Sequence, residues 1–108
     1  MLKKYGRVNI LVNCAGGNQK GATVMPKQSF FQAPLDAFDK VMALNFKGTV
    51  LCCQVFGEAI SLAPTGGSIV NISSMSAQLP LTRVCGYSAA KAAVDNLTRW
   101  LSTEFAKK

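Results

Sequence analysis

The sequence contains no histidine and only five aspartate and glutamate residues in 108 positions. Without histidine, a Ser-His-Asp triad or a Cys-His pair is excluded, so proton chemistry would use Tyr, Lys, Asp or Glu. The cysteines form no C-x-x-C pair; they are Cys14, Cys52, Cys53 and Cys85. We therefore expect no metal site, and we interpret these residues as buried free thiols of a reducing cytoplasm.

The sequence also lacks a long apolar segment. No hydrophobic run approaches the roughly 18 residues that cross a bilayer, and Met1–Tyr5 does not have the composition of a signal peptide. Twelve Lys and Arg residues give a net charge of +7, but they are scattered rather than interleaved with aromatic residues. These absences predict a cytoplasmic protein with no membrane and no nucleic-acid partner.

β-rich runs alternate along the chain with segments of helical periodicity. Val8–Asn13 is a short β-rich run that stops at a glycine turn, whereas apolar residues from Phe38 to Ile60 recur mostly at three- and four-residue steps. The pattern predicts an α/β layer with buried parallel strands at residues 8–13 and 68–73, a loop at 19–34, and helices at 34–63 and 87–105. Two strands alone do not make a stable sheet with both faces covered, so we expect the chain to be the middle of a larger domain.

Tyr87 and Lys91 stand four residues apart at the start of the second predicted helix. Residues at this spacing project from the same helix face. A neighbouring ammonium favours the phenolate form of a phenol, which makes tyrosine a workable general acid or base where histidine is absent. The alternative is a surface tyrosine whose ring packs on a lysine stem.

Three further positions fall where a parallel sheet binds ligands, at the carboxyl edge of its strands or near it. Ser74 ends the second predicted strand, thirteen positions before Tyr87, and Ser73 and Ser76 are neighbouring candidates for the same role. The turn Asn13–Gly17 ends the first predicted strand. Asn45 lies inside the first predicted helix, where asparagine is unfavourable, so it marks either a functional irregularity or a solvent-facing side chain.

In this order, the motifs resemble the short-chain dehydrogenase/reductase family from Val8 to Phe105. Asn13-Cys14-Ala15-Gly16 is similar to the family's N-N-A-G and departs from it at Cys14. Asn45 matches the active-site Asn, Ser74 the serine of I-S-S, and Tyr87 with Lys91 the Y-x-x-x-K motif. The resemblance implies part of a Rossmann-like, doubly wound parallel sheet. Residues 1–108 would be the central, catalytic portion of one domain, without the family's T-G-x-x-x-G-x-G run and its C-terminal substrate segment.

The resemblance also implies an oxidoreductase that transfers a hydride between NAD or NADP and a small carbonyl or alcohol substrate. Tyr87 would protonate the substrate oxygen, Ser74 would hydrogen-bond it, and Lys91 would hold the ribose hydroxyls of the cofactor. Asn45 would hold a helix kink and a water that links Lys91 to solvent. The residues expected to contact the cofactor are Asn13, Ala15, Gly16, Tyr87 and Lys91.

The substrate class rests on a narrower resemblance. The segments Ala15–Asn18, Ile72–Ala77 and Pro80–Arg83 are similar to those of mannonate (fructuronate) oxidoreductases. Arg83 could bind a substrate carboxylate, unless it is an ordinary exposed loop residue. A 3-oxoacyl-carrier reductase is the alternative within the family. Outside it, the alternative is an idle fragment whose helices act as an association module. In this family the corresponding helices often pair between subunits, so we expect a homo-oligomer, a dimer or a tetramer.

Overall fold

In the computed structural model, which describes residues 2–107, two parallel strands lie side by side and helices cover one of their faces. The elements follow one another as α1 (Leu2–Tyr5), β1 (Ile10–Asn13), α2 (Leu35–Met42), α3 (Gly48–Leu62), β2 (Ser68–Asn71) and α4 (Cys85–Phe105). A π-helical turn, Ala43–Lys47, joins α2 to α3, and short 3-10 turns occur at Lys20–Ala22, Phe30–Gln32 and Met75–Ala77. The predicted order of strand, helix, strand, helix is confirmed.

The two strands pair in parallel register, from Ile10 opposite Ser68 to Asn13 opposite Asn71. Both strands are shorter than predicted, because β1 begins two residues later and β2 ends two residues earlier than expected. Two further backbone hydrogen bonds flank the ladder, from Ser68 N to Asn9 O at 2.9 Å and from Ile72 N to Asn13 O at 3.1 Å. The expectation that Ser74 ends the second strand is therefore wrong, since Ser74 lies three residues beyond β2.

The sheet is covered on one side only. Ile10, Val12 and Val70 expose 65%, 51% and 46% of their surface on the open side. On the other side, alternate residues of both strands are half-buried beneath α3 and α4. The prediction of buried strands is thus correct for one face and wrong for the other, because in residues 2–107 no helix packs on the open face.

The helices differ from prediction at two places. The single helix expected at residues 34–63 is divided by the π turn, and α4 begins at Cys85, two residues earlier than expected. The small buried core consists of Ala22, Ala37 and Val41, with Phe38 and Tyr87 packed against it. It lies where the turn Lys20–Ala22, α2 and the start of α4 meet.

The four cysteines are free thiols, as expected, but only Cys53 is buried. Burial raises the pKa of the Cys53 thiol, and the hydrogen bond that Asn13 Nδ2 donates to the sulfur opposes that effect. Cys14 and Cys85 are exposed, which corrects the expectation of buried thiols, because each lies at the end of an element rather than beneath a helix. None of the helices described within residues 2–107 is both long and apolar enough to span a membrane.

Candidate active site

Tyr87 and Lys91 occupy the first two turns of α4 on one helix face, as their spacing predicts. The Lys91 Nζ atom lies 5.8 Å from the centre of the Tyr87 ring, within the range of a cation–π contact. The Tyr87 ring is half-buried against the small core, whereas Lys91 exposes only 5% of its surface. The alternative of a surface tyrosine on a lysine stem therefore does not describe this pair, because the lysine is buried.

Lys91 is an ammonium group without a counter-ion. Its Nζ donates one hydrogen bond, of 2.9 Å, to the Ile72 carbonyl oxygen just beyond β2. In the part of the chain that is described, no carboxylate lies within ion-pair distance of it. An ammonium has three donors, so Lys91 retains donors for hydroxyl or other neutral oxygen ligands.

Asn45 is fully buried in the π turn, which rules out the solvent-facing alternative. Its Nδ2 donates to Gly17 O at 2.7 Å and to Val41 O at 2.8 Å, and its Oδ1 accepts from Gly17 N at 2.9 Å. The side chain therefore ties the glycine turn after β1 to the irregular helix. Such π turns are frequent at functional sites, and the irregularity that Asn45 signals in the sequence is found.

Gly16 lies against both buried polar side chains. A Cβ atom at this position would come 2.5 Å from Asn45 Oδ1 and 3.2 Å from Lys91 Nζ, so only glycine fits. The sequence predicts that the backbone at Gly16 approaches a ligand closely. In the structure, it also closely approaches the side chains of Asn45 and Lys91. Three separate segments, the turn after β1, the π turn and α4, thus bring together Gly16, Asn45 and the pair Tyr87 and Lys91.

Ser74 caps the 3-10 turn that follows β2. Its Oγ accepts a hydrogen bond from Ser76 N at 3.2 Å and lies 3.0 Å from Ser76 Oγ. Ser76 is buried and Ser74 is half-buried, so the outer of the two hydroxyls is that of Ser74. When Ser76 donates to it, the Ser74 hydroxyl proton is free for another oxygen. The third candidate, Ser73, has a buried Oγ with no partner among the described residues.

The remaining predicted residues lie elsewhere around this edge. Asn13 Nδ2 donates to Asn71 Oδ1 at 2.8 Å and to Cys53 Sγ at 3.5 Å, beneath the helices. Ala15 is exposed in the glycine turn. Arg83 is exposed and has a φ of 76°, a left-handed conformation that favours glycine. The structure does not bring the Asn13 side chain to Lys91, and the predicted roles of Asn13, Ala15 and Arg83 stay predictions.

Sequence reasoning missed Asn71, which joins β1, β2 and α4. It accepts from Asn13 and donates through Nδ2 to Thr98 Oγ1 at 2.9 Å. The available signal was a second asparagine near the end of the second predicted strand, matching Asn13 in the first. Within the described residues, no group of three His, Cys, Asp or Glu side chains is placed to hold a metal ion.

The profile of the short-chain dehydrogenases matches residues 1–108. This chain belongs to the short-chain dehydrogenase family. The uncharacterized oxidoreductase UxuB of Bacillus subtilis is 40% identical over 115 residues, which cover 99% of this chain and 41% of that protein. An uncharacterized oxidoreductase of Haemophilus influenzae is 39% identical over 113 residues, which cover 95% of this chain and 39% of the relative.

Solved structures of other short-chain dehydrogenases share this fold. A Haemophilus influenzae protein provisionally assigned as a D-mannonate oxidoreductase, with bound NAD, has a TM-score of 0.87 and 37% identity, over 98% of this chain and 41% of that one. ElxO with bound NADP has a TM-score of 0.83 and 29% identity, over 98% of this chain and 40% of that one. The predicted family and its Rossmann-like fold class are confirmed, and the chain spans about two fifths of the relatives it matches.

Proposed function

We propose that residues 1–108 are the central, catalytic portion of a single short-chain dehydrogenase domain. This domain would transfer a hydride between a nicotinamide dinucleotide and a carbonyl or alcohol substrate. The observation that carries the proposal is the buried, unpaired ammonium of Lys91 one helical turn from Tyr87. Burying a cation costs several kcal/mol. A ligand whose neutral oxygen atoms accept hydrogen bonds from the ammonium would explain why it is buried.

The residues at this edge suit the ribose and nicotinamide side of the cofactor. Lys91 has unused donors for ribose hydroxyls, and Tyr87 lies on the same helix face. We propose that Asn13, Ala15 and Gly16 line the adenosine side. NAD and NADP both remain in the proposal, because similar structures hold one or the other. When bound, the nicotinamide supplies or accepts the hydride.

The side chains of this chain would handle the proton. During reduction, the Tyr87 hydroxyl gives its proton to the carbonyl oxygen, and the O–H bond of the product alcohol forms as the phenolic O–H bond breaks. Ser74 donates a hydrogen bond to the same oxygen and stabilises its developing charge. The Lys91 ammonium attracts the phenolate that is left. Oxidation of the alcohol is the reverse, with Tyr87 taking the proton.

We propose a sugar acid, such as mannonate or fructuronate, as the substrate. Arg83 lies in the loop between Ser74 and Tyr87, and its guanidinium could bind a carboxylate through two parallel hydrogen bonds. The 37% identity to the provisionally assigned D-mannonate oxidoreductase supports this choice. We propose a small-molecule substrate and no nucleic-acid partner, because the Lys and Arg residues are scattered along the sequence.

The second partner we propose is another copy of the chain, in a dimer or a tetramer. Leu51, Val55 and Leu62 of α3 expose 59%, 55% and 77% of their surface, and Trp100 of α4 exposes 59%. Exposed apolar surface of this kind is typical of an interface. We also propose a cytoplasmic location, consistent with four free thiols, which cell fractionation would test.

Tyr87→Phe in the full-length protein tests the catalytic assignment. The substitution keeps the ring against the core and removes only the hydroxyl, so kcat should fall about 10²–10⁴-fold, as for loss of a general acid. Tyr5→Phe is the matched control, because Tyr5 is exposed near the other end of the chain. A Tyr87→Phe enzyme with turnover within about threefold of the wild type would remove Tyr87 from the mechanism.

A further inference from the structure

Gly86, the residue before Tyr87, is buried in the first turn of α4. A Cβ atom there would lie 2.9 Å from Ala22 Cβ, 3.1 Å from Phe38 Cδ1 and 3.2 Å from Val41 Cγ1. No side chain fits between these groups without displacing one of them. The helix backbone next to Tyr87 therefore packs directly on the 3-10 turn Lys20–Ala22 and on α2.

The 3-10 turn is itself fixed on two sides. Toward α2, a Cβ on Gly21 would come 2.7 Å from Ala37 Cβ, so turn and helix are in close contact. Toward α4, Val24 N donates to Arg83 O at 2.8 Å. Cys85 Sγ also donates to Ala22 O at 3.8 Å. The turn is therefore held on both sides. We call the contact between its Ala22 and Gly86 of α4 the seat, because the start of α4 rests on it.

Tyr87 depends on this seat more than Lys91 does. The Tyr87 ring packs against the small core of Ala22, Ala37 and Val41, and two of these residues, Ala22 and Val41, also limit the approach of Gly86. Lys91 lies one turn further along α4 and has its own anchor, the bond to Ile72 O. A change in the distance between Gly86 and Ala22 would therefore shift Tyr87, while Lys91 keeps its hydrogen bond to Ile72 O.

We propose that Gly86 and Ala22 are positioning residues whose contact sets how deeply the first turn of α4 sits and thereby places the Tyr87 hydroxyl for proton transfer. The inference rests on the proposed function in one respect, the assignment of Tyr87 as the acid. Neither residue contacts the substrate in this proposal. Misplacement of a catalytic group by about 1 Å can cost about a hundredfold in rate, so one added methyl group is enough to matter.

The test is a size exchange between the two positions in the full-length protein. Gly86→Ala adds a methyl group where Ala22 already stands, and Ala22→Gly leaves a gap there. We expect kcat to fall at least about tenfold in Gly86→Ala and less in Ala22→Gly. KM and the Kd of the nicotinamide dinucleotide should stay within about threefold of the wild type, because Lys91 is held independently. The double variant should have a higher kcat than either single variant, since the added methyl group takes the place of the removed one and the shortest of the three contacts, to Ala22 Cβ, is relieved.

Gly57→Ala is the matched control. Gly57 is a buried helical glycine in α3, where a Cβ would meet the Phe105 ring at 3.2 Å. This variant should lower Tm without a selective loss of kcat.

If Gly86→Ala does not fold, a comparison of kcat between Ala22→Gly and the double variant still tests the proposal. A wild-type kcat in Gly86→Ala, or no recovery in the double variant, would overturn the proposal. Full activity in Tyr87→Phe would instead overturn the assignment of Tyr87, so the two failures are distinguishable.

Discussion

Lys91 is a buried ammonium group, and no carboxylate within residues 2–107 forms an ion pair with it. Its hydrogen bond to Ile72 O does not replace the hydration that a charged group loses on burial. Groups that lower stability in this way are common where function requires them. The glycine turn packs against buried Asn45 and Lys91, so this edge of the sheet is arranged around a charge rather than for stability.

Lys91→Met tests whether Lys91 lowers the stability of the fold and is needed for dinucleotide binding. Methionine has a similar length and no charge, so we expect the free energy of unfolding to increase by about 1 kcal/mol or more. The orphaned Ile72 carbonyl offsets part of this gain. Dinucleotide affinity should fall at least about tenfold, equivalent to about 1.4 kcal/mol of binding energy. Chemical denaturation and calorimetric titration measure the two effects, with the exposed Lys27→Met as control. Lower stability together with unchanged binding would show that Lys91 is structural.

The backbone of Arg83 is strained, since a φ of 76° costs a non-glycine residue about 1–3 kcal/mol. Arg83→Gly removes both the strain and the guanidinium. We expect a higher Tm, together with a KM for mannonate or fructuronate raised at least about tenfold. The KM for a neutral sugar analogue should change little, and Arg83→Lys should recover part of the loss through its charge. Equal effects on acidic and neutral substrates would show that Arg83 is an ordinary loop residue. Turnover of 3-oxoacyl thioesters in place of sugar acids would favour the alternative of a 3-oxoacyl-carrier reductase.

At the scale of the elements, α3 presents one face to the sheet and another that nothing covers in residues 2–107. Leu51, Val55 and Leu62 are spaced by four and seven residues, so they form one apolar stripe along the helix. Trp100 of α4 is exposed beside Glu58 and Gln54 in the groove between the two helices. A stripe of this kind is suited to a symmetric helix-to-helix contact.

Val55→Glu should therefore reduce the oligomeric mass of the full-length protein. A carboxylate in the middle of an apolar interface lacks a partner when buried, which disfavours association. Light scattering should find a dimer or a tetramer for the wild type and a smaller species for the variant. Phe31→Glu is the control, because Phe31 is 94% exposed but lies in the 3-10 turn Phe30–Gln32, outside α3 and α4. A monomeric wild type, or an unchanged mass in Val55→Glu, would contradict the proposed interface.

The whole molecule is extended rather than spherical. Its radius of gyration is 16.4 Å, whereas a compact domain of this length would have about 13 Å. One sheet face remains open, with Ile10 exposing 65% of its surface and Ile72 exposing 45%. These features support the proposal that residues 1–108 belong to a larger domain, whose other elements would cover the sheet.

The sequence predicted those features that depend on neighbours along the chain. The Tyr87–Lys91 face follows from helical periodicity, and the poor helix propensity of Asn45 marked an irregularity, though not its form as a π turn. The partner of Asn45 could not be predicted, because Gly17 lies 28 residues away. The strand ends could not be predicted either, since a ladder lasts only while both strands stay parallel. The Gly86 seat depends on Ala22, which approaches only after the loop at 19–34 folds back.

A calorimetric titration with NADH and NADPH tests most directly whether residues 1–108 are the catalytic portion of a larger dinucleotide-dependent domain. The 108 residues contain no T-G-x-x-x-G-x-G run to hold a pyrophosphate at a helix N-terminus, and their unpaired strand edges favour self-association. We predict that the full-length protein binds one of the two dinucleotides one-to-one at micromolar affinity, and that the isolated 108-residue chain binds neither. Failure of the full-length protein to bind either dinucleotide, or equal binding by the isolated chain, would contradict this account.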